Sequence, residues 1–213
     1  MVRSVWPTRA LAAVVLGLGL AGPARAVFVT DAANDFVPTF LGPHNGDLDV
    51  IGAEVVYDGT NFTFHAVLNG AVGTTPGGFY VWGVNRGAGG QGFPVIAPGV
   101  RFDRVVIFRP DGTSNVPGAT VLVRGNEITG IVPATAPALA STGFAPGQYT
   151  WNLWPRSPAI PGNPDGNLSD FAPDNSNALV TTTPAPPGLV LGLLAGLSVG
   201  AYSRIRAWRP AVL

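Results

Sequence analysis

Carboxylates gather near both ends of the central part of this chain: Asp31, Asp35, Asp47 and Asp49 early, then Asp165, Asp170 and Asp174 late. A hard cation such as calcium takes about six to eight oxygens from carboxylates, amide carbonyls and main-chain carbonyls. Asn34, Asn45, Asn175 and Asn177 lie among the aspartates and carry suitable groups. First and last strands often neighbour one another in a β-sandwich, and such a fold brings the two clusters together. The expected metal ligands are therefore Asp31, Asp35, Asp47, Asp49, Asp170 and Asp174, with calcium the one cofactor in view. The competing reading is that Asp and Asn here only start and cap turns. No EF-hand spacing is present.

Aromatic and amide side chains offer a second chemistry, stacking on the apolar faces of sugars while amides take the hydroxyls. Tyr80, Trp82, Asn85, Arg86, Trp151, Asn152 and Trp154 are the expected members of such a surface. Trp151 and Trp154 lie on opposite faces of one strand, so both join a core only if that strand is central. The alternative for the whole set is sandwich core. Catalytic chemistry has weaker support. His44 and His65 are the two histidines, cysteine is absent, and neither G-x-S-x-G nor H-E-x-x-H occurs. A serine triad, a thiolate nucleophile and a zinc hydrolase all lack their parts. Paired carboxylates leave a glycan hydrolase as a third-ranked reading. No catalytic residue is assigned.

These side chains must be held by strands. Apolar residues recur at every second position over short runs, and helical spacing is nearly absent. Val50 to Tyr57 puts Ile51, Ala53, Val55 and Tyr57 on one face, Asp58-Gly59-Thr60-Asn61 turns, and Phe62 to Leu68 returns. Phe79 to Val84 reads as a strand buried on both faces, and Arg101 to Arg109 as one continuous strand. Thr120 to Arg124 and Glu127 to Val132 form a second hairpin about Gly125-Asn126, and Tyr149 to Trp154 is the last clear strand. Gly87 to Gly99 reads as a long surface loop. The expected fold is all-β, a jelly-roll-like antiparallel sandwich of about eight strands. An N-terminal signal helix and a C-terminal transmembrane helix flank it.

The ends carry the addresses. Arg3 and Arg9 precede an apolar run from Ala10 to Gly22, followed by Pro23 and the triplet Ala24-Arg25-Ala26. This is the pattern of a secretory signal peptide over residues 1–26, to be cut by signal peptidase after passage through the export machinery. Residues 27–180 then form the domain, 181–187 a proline-rich linker, 188–203 an apolar membrane segment and 204–213 a basic tail. Arginines after an apolar run stay cytoplasmic, which leaves the domain outside. All twelve basic residues are arginines, and the six outside the ends face all twelve carboxylates, a net charge of −6 for the middle. That sign repels phosphate backbones and excludes nucleic acid as a partner.

Pro184-Ala185-Pro186, the apolar span and Arg204, Arg206 and Arg209 together resemble the PEP-CTERM sorting tail of bacterial surface proteins, with Ala185 in place of the glutamate. The resemblance covers about thirty residues and implies processing by an exosortase in a cell-surface or matrix setting rich in exopolysaccharide. The stretches YDGTNFTF, YVWGVNRG, QYTWNLWPR and SDFAPDNSNA resemble a secreted bacterial β domain, which supplies no catalytic residues. The expectation is an exported, non-catalytic cell-surface or extracellular-matrix protein held by its tail. A carbohydrate-binding module, with or without calcium, ranks second.

Overall fold

A computed structural model describes residues 27–163 and 165–183. The signal peptide, the sorting residues Pro184, Ala185, Pro186, Arg204, Arg206 and Arg209, and the membrane segment lie outside the described residues. The described chain is all-β and built of antiparallel sheets, with twelve strands where about eight were expected. The additional ones are mostly two-residue pairings at edges and a hairpin inside the glycine-rich segment.

The larger sheet takes β1 (Val29–Thr30), β2 (Val50–Tyr57), β3 (Asn61–Leu68), β8 (Thr120–Arg124) and β9 (Glu127–Pro133), in the order β1-β2-β3-β9-β8. A last short strand, β12 (Thr181–Thr182), runs parallel to β2 beside Val56 and Tyr57. It occupies the start of the stretch read as linker. The smaller sheet takes β4 (Phe79–Asn85), β7 (Arg104–Phe108), β10 (Thr150–Arg156) and β11 (Ala178–Leu179), in the order β11-β10-β4-β7. A separate hairpin joins β5 (Gly90–Phe93) to β6 (Ala97–Phe102).

The β2–β3 hairpin forms at the expected turn, because Asp58 Oδ1 accepts the N–H groups of Thr60 and Asn61 at 2.8 and 2.7 Å while Gly59 supplies φ +94°. Its register shifts between Val50 and Gly52, so Val50 enters the core and Ile51 does not. A simple alternation missed this bulge, which re-aims side chains at the strand's entry.

One apolar cluster draws Val55, Phe62, Phe64 and Leu68 from the larger sheet and Tyr80, Trp82, Phe108, Trp151 and Leu153 from the smaller. A second cluster covers the other side of the smaller sheet, with Val81 and Trp154 packed on Phe93, Ala97, Val100, Leu168 and Phe171. Both faces of β4 and β10 are thus covered, which accounts for the unbroken apolar run in each. Each buried aromatic ring removes about 150–250 Å² from water, worth roughly 4–6 kcal/mol of gross transfer energy.

Two expectations fail in the same region. Gly87 to Gly99 is not simply a loop, since it supplies β5 and the start of β6, whose apolar side chains complete the second cluster. Nor is Arg101 to Arg109 one strand: the chain breaks at Asp103 and changes sheet. The Asp103 carboxylate accepts Arg86 Nε at 2.8 Å, Thr142 Oγ1 at 2.8 Å and the Ala88 N–H at 3.0 Å, contacts that fix the chain at the break while its own N–H reaches the Val84 carbonyl at 3.1 Å.

Candidate cation site

Three segments meet where the larger sheet begins. Asp31 follows β1 directly, and its N–H donates to the Ile51 carbonyl at 3.2 Å. The chain then turns at Asn34, whose φ of +66° suits an asparagine, and brings Asp35 back. Asp49 leads into β2 after a short 3-10 turn, Gly46–Leu48. Asp170 and Asp174 arrive on the long connection between β10 and β11.

Oδ2 of Asp49 accepts the Asn34 N–H and Asn69 Nδ2, both at 2.8 Å. Oδ1 of the same wholly buried residue receives no hydrogen bond. Asp170, 1 % exposed, accepts the Val50 N–H on Oδ2 at 2.8 Å and the Phe171 N–H on Oδ1 at 2.7 Å. Asp31 accepts the Ala32 N–H on Oδ1, while its buried Oδ2 has no donor. Asp174 is exposed.

Carboxylate oxygens of Asp31, Asp170 and Asp174 lie within 4.8 Å of one another, and so do those of Asp35, Asp49 and Asp170. Burial pushes Asp31 up to about 7, helped by the charges of Asp35, Asp174 and Asp49. Burial likewise drives Asp170 up to about 8 against the lowering pull of its Val50 hydrogen bond, with Asp31 and Asp35 adding repulsion. Asp35 is raised for the same first reason. Among the described residues no arginine forms an ion pair with any of the five; the Arg–Asp ion pair there joins Arg86 to Asp103. Uncompensated carboxylates this close, two of them with donorless buried oxygens, match what a hard divalent cation needs.

The sequence reading named all five, together with one residue that belongs elsewhere. Asp47 is 1 % exposed and its two oxygens are taken by Thr75, through the N–H and the hydroxyl, each at 2.7 Å. Asn45 reinforces that contact by donating to Thr75 Oγ1. Asn175 and Asn177 also turn away: Asn175 accepts the Gly99 N–H, and Asn177 both accepts from and donates to the Arg101 main chain, covering the edge of β6. Asn69 was missed. Its position at the end of β3, beside Asp49, is set by the hairpin register and has no signal in residue type alone.

The aromatic surface is corrected more fully. Tyr80, Trp82, Trp151 and Trp154 are between 0 and 2 % exposed, because β10 lies inside its sheet and each of its faces meets a cluster. Gly83 leaves room for Trp154, whose Cη2 would lie 2.5 Å from an added Cβ. Asn152 is buried with Nδ2 on the Pro173 and Ser176 carbonyls. Asn85 Oδ1 holds the N–H groups of Gly87 and Gly89 in a turn, and Arg86 binds Asp103 and the carbonyls of Ala138 and Ala140. None of the seven forms an exposed platform.

The chain matches no protein-family model and no curated protein. The site therefore rests on its own geometry. The histidines stand apart from it: His44 stacks on Phe36 with centroids 4.4 Å apart, and His65 lies between Glu54 and Glu127 at 3.5 and 3.6 Å on the outer face of the larger sheet.

Proposed function

We propose that this is an exported, non-catalytic cell-surface or extracellular-matrix protein, held and sorted by its C-terminal tail. In this reading its domain, a jelly-roll-like sandwich, is completed by calcium. The observation that carries it is the gathering of Asp31, Asp35, Asp49, Asp170 and Asp174 in two groups that share Asp170, with no arginine ion-paired to them among the described residues. Calcium-binding extracellular modules work at about 0.1–1 mM calcium, far above the concentrations at which a chain inside a cell would load. The cluster then has a logic tied to export. Inside, repulsion among the carboxylates loosens the domain and favours passage through the export machinery; outside, calcium removes the repulsion and the domain locks.

Raised carboxylate pKa values also accompany hydrolytic sites. Here Asp170 is 1 % exposed, too enclosed to meet a glycan. A polysaccharide-binding role by stacking loses its surface once Trp82, Trp151 and Trp154 are core.

The test is a melt of the full-length protein in mild detergent with calcium or with chelator. Calcium raises the midpoint in the parent protein and fails to do so in Asp49→Asn. An unchanged midpoint in the parent would return the aspartates to turn formation. Export and retention are tested separately by neutralising Arg204, Arg206 and Arg209, which weakens membrane retention of the precursor if the tail is a stop signal.

A further inference from the structure

The five carboxylates fall into two groups of three that share one member. Oxygens bound to a single calcium lie about 2.3–2.6 Å from it, so any two of them are at most about 5 Å apart. Asp31 and Asp174 satisfy that limit with Asp170, and Asp35 and Asp49 satisfy it with Asp170, but the two sets form separate groups that share only Asp170. Each group also holds its own buried oxygen without a donor, Oδ2 of Asp31 in one and Oδ1 of Asp49 in the other. The second oxygen belongs to a residue with no exposure at all. One ion in either group leaves the other orphan unsatisfied.

We propose that the cluster binds two divalent cations, an inner one on Asp35, Asp49 and Asp170 and an outer one on Asp31, Asp170 and Asp174, with Asp170 shared between them. The proposal rests on the cation-binding reading above. Charge points the same way, because one divalent ion leaves five carboxylates with a net charge of −3 and two leave −1. Asp170 suits a bridge: each of its oxygens is fixed by one backbone N–H and keeps a lone pair for a metal. The two sites differ in depth. The inner group includes two fully buried residues, while the outer group opens through exposed Asp174. Water fills the outer ion's remaining positions, so the outer site is the weaker.

The experiment is native mass spectrometry of the chelator-stripped full-length protein with calcium chloride, beside a calorimetric titration. Two bound ions and a two-step isotherm are expected. Asp174→Asn removes the weaker step, lowering its affinity at least about tenfold through loss of a ligand charge, and leaves the tighter step in place. Asp35→Asn weakens the tighter step and leaves a single ion on the outer group. Both substitutions lie in loops and keep the side chain's shape, and far-UV circular dichroism confirms that each variant is folded. A parent protein that saturates with one ion, or two variants that weaken the same single step, overturns the two-ion site while leaving cation binding standing. No bound ion at all overturns both readings.

Discussion

Calcium stabilisation of this domain should switch on between pH 5 and pH 8, opposite in sign to the behaviour of the metal-free protein. Asp31 and Asp170 titrate near 7 and 8 in the folded chain, against an ordinary value of 3.8. A carboxyl raised in this way binds more protons folded than unfolded. Its contribution to stability is full below about pH 4 and is lost as pH climbs through the folded value. In chelator, the melting midpoint therefore falls from pH 5 to pH 8.

Calcium needs both carboxylates ionised, so each proton to be expelled weakens binding about tenfold per pH unit below its pKa. At pH 5 that is about two decades for Asp31 and about three for Asp170, or roughly 10⁵ together. At pH 8 the factor is only about 2. Donors that lie some 140 positions apart in the chain come together only in the folded state, so the unfolded chain has no comparable site. With calcium at a hundred times its pH 8 dissociation constant, the gain is about 2.7 kcal/mol. For a domain of this size that raises the midpoint by roughly 5–11 °C. The same calcium at pH 5 produces no shift. Differential scanning fluorimetry at the two pH values, with calcium and with chelator, reads all four conditions. Equal shifts at pH 5 and pH 8 would refute the assignment of Asp31 and Asp170 as ligands, since a site on permanently ionised groups behaves that way.

Three further outcomes follow from particular contacts. Asp47→Asn loses charge-assisted hydrogen bonds to Thr75 and lowers stability by about 1.5–3 kcal/mol, yet keeps the full calcium shift, because Asp47 stands outside the cluster. Denaturant titration with and without calcium separates the two effects. Trp154→Ala empties the second apolar cluster and costs about 3–5 kcal/mol by the same titration; a cost below about 1 kcal/mol would place that ring at the surface. Burial alone would raise Asp103, but the Arg86, Thr142 and Ala88 donors outweigh it and hold its carboxyl below the usual range. Its contribution is therefore present at neutral pH and disappears as pH falls through that depressed value, and Asp103→Asn removes it outright. With both partners about 90 % buried, that substitution costs about 3–5 kcal/mol.

How much of this was legible in the sequence differs by element. Strong alternation and an Asp-Gly turn made β2 and β3 readable, because a half-buried strand writes its two faces into every second residue. The same reasoning went wrong at Ile51, where a bulge inverts the faces, and a bulge has no required residue type. β4 was read as a strand buried on both faces, and it is one; β10 was read as a strand but its faces were not, since a strand buried on both sides carries no alternation. That is why Trp151 and Trp154 appeared as binding candidates, while Tyr80 and Trp82 were added to them for their residue type although their strand already read as core. The break at Asp103 was invisible because its cause, Arg86, lies seventeen positions earlier. The acidic site was the reverse case. Like charges are costly to bury, so a chain that holds Asp31, Asp49 and Asp170 together needs a reason beyond turn formation, and that excess showed in composition before any pairing was known.

The placement of that excess ties the two ends of the protein to its middle. β1 and β12 both pair with β2, and the Val27 N–H donates to Thr181 Oγ1 at 2.9 Å, so the chain enters and leaves the domain along one edge of the larger sheet. Asp31 lies just after the entry, and Asp170 and Asp174 shortly before the exit. These short strands carry few contacts of their own: β1 and β12 each hold two residues against β2. They are the elements that open first in any partial unfolding. A cation bound by Asp31 on one side and Asp170 on the other therefore closes the domain where it is weakest. The free energy that calcium supplies should appear first as protection of the Val29–Thr30 and Thr181–Thr182 amides from hydrogen exchange, well before any change at β4 or β10. Uniform protection across both sheets would mean that the ends and the core open together, and that the cation acts on the whole domain instead of on its closure.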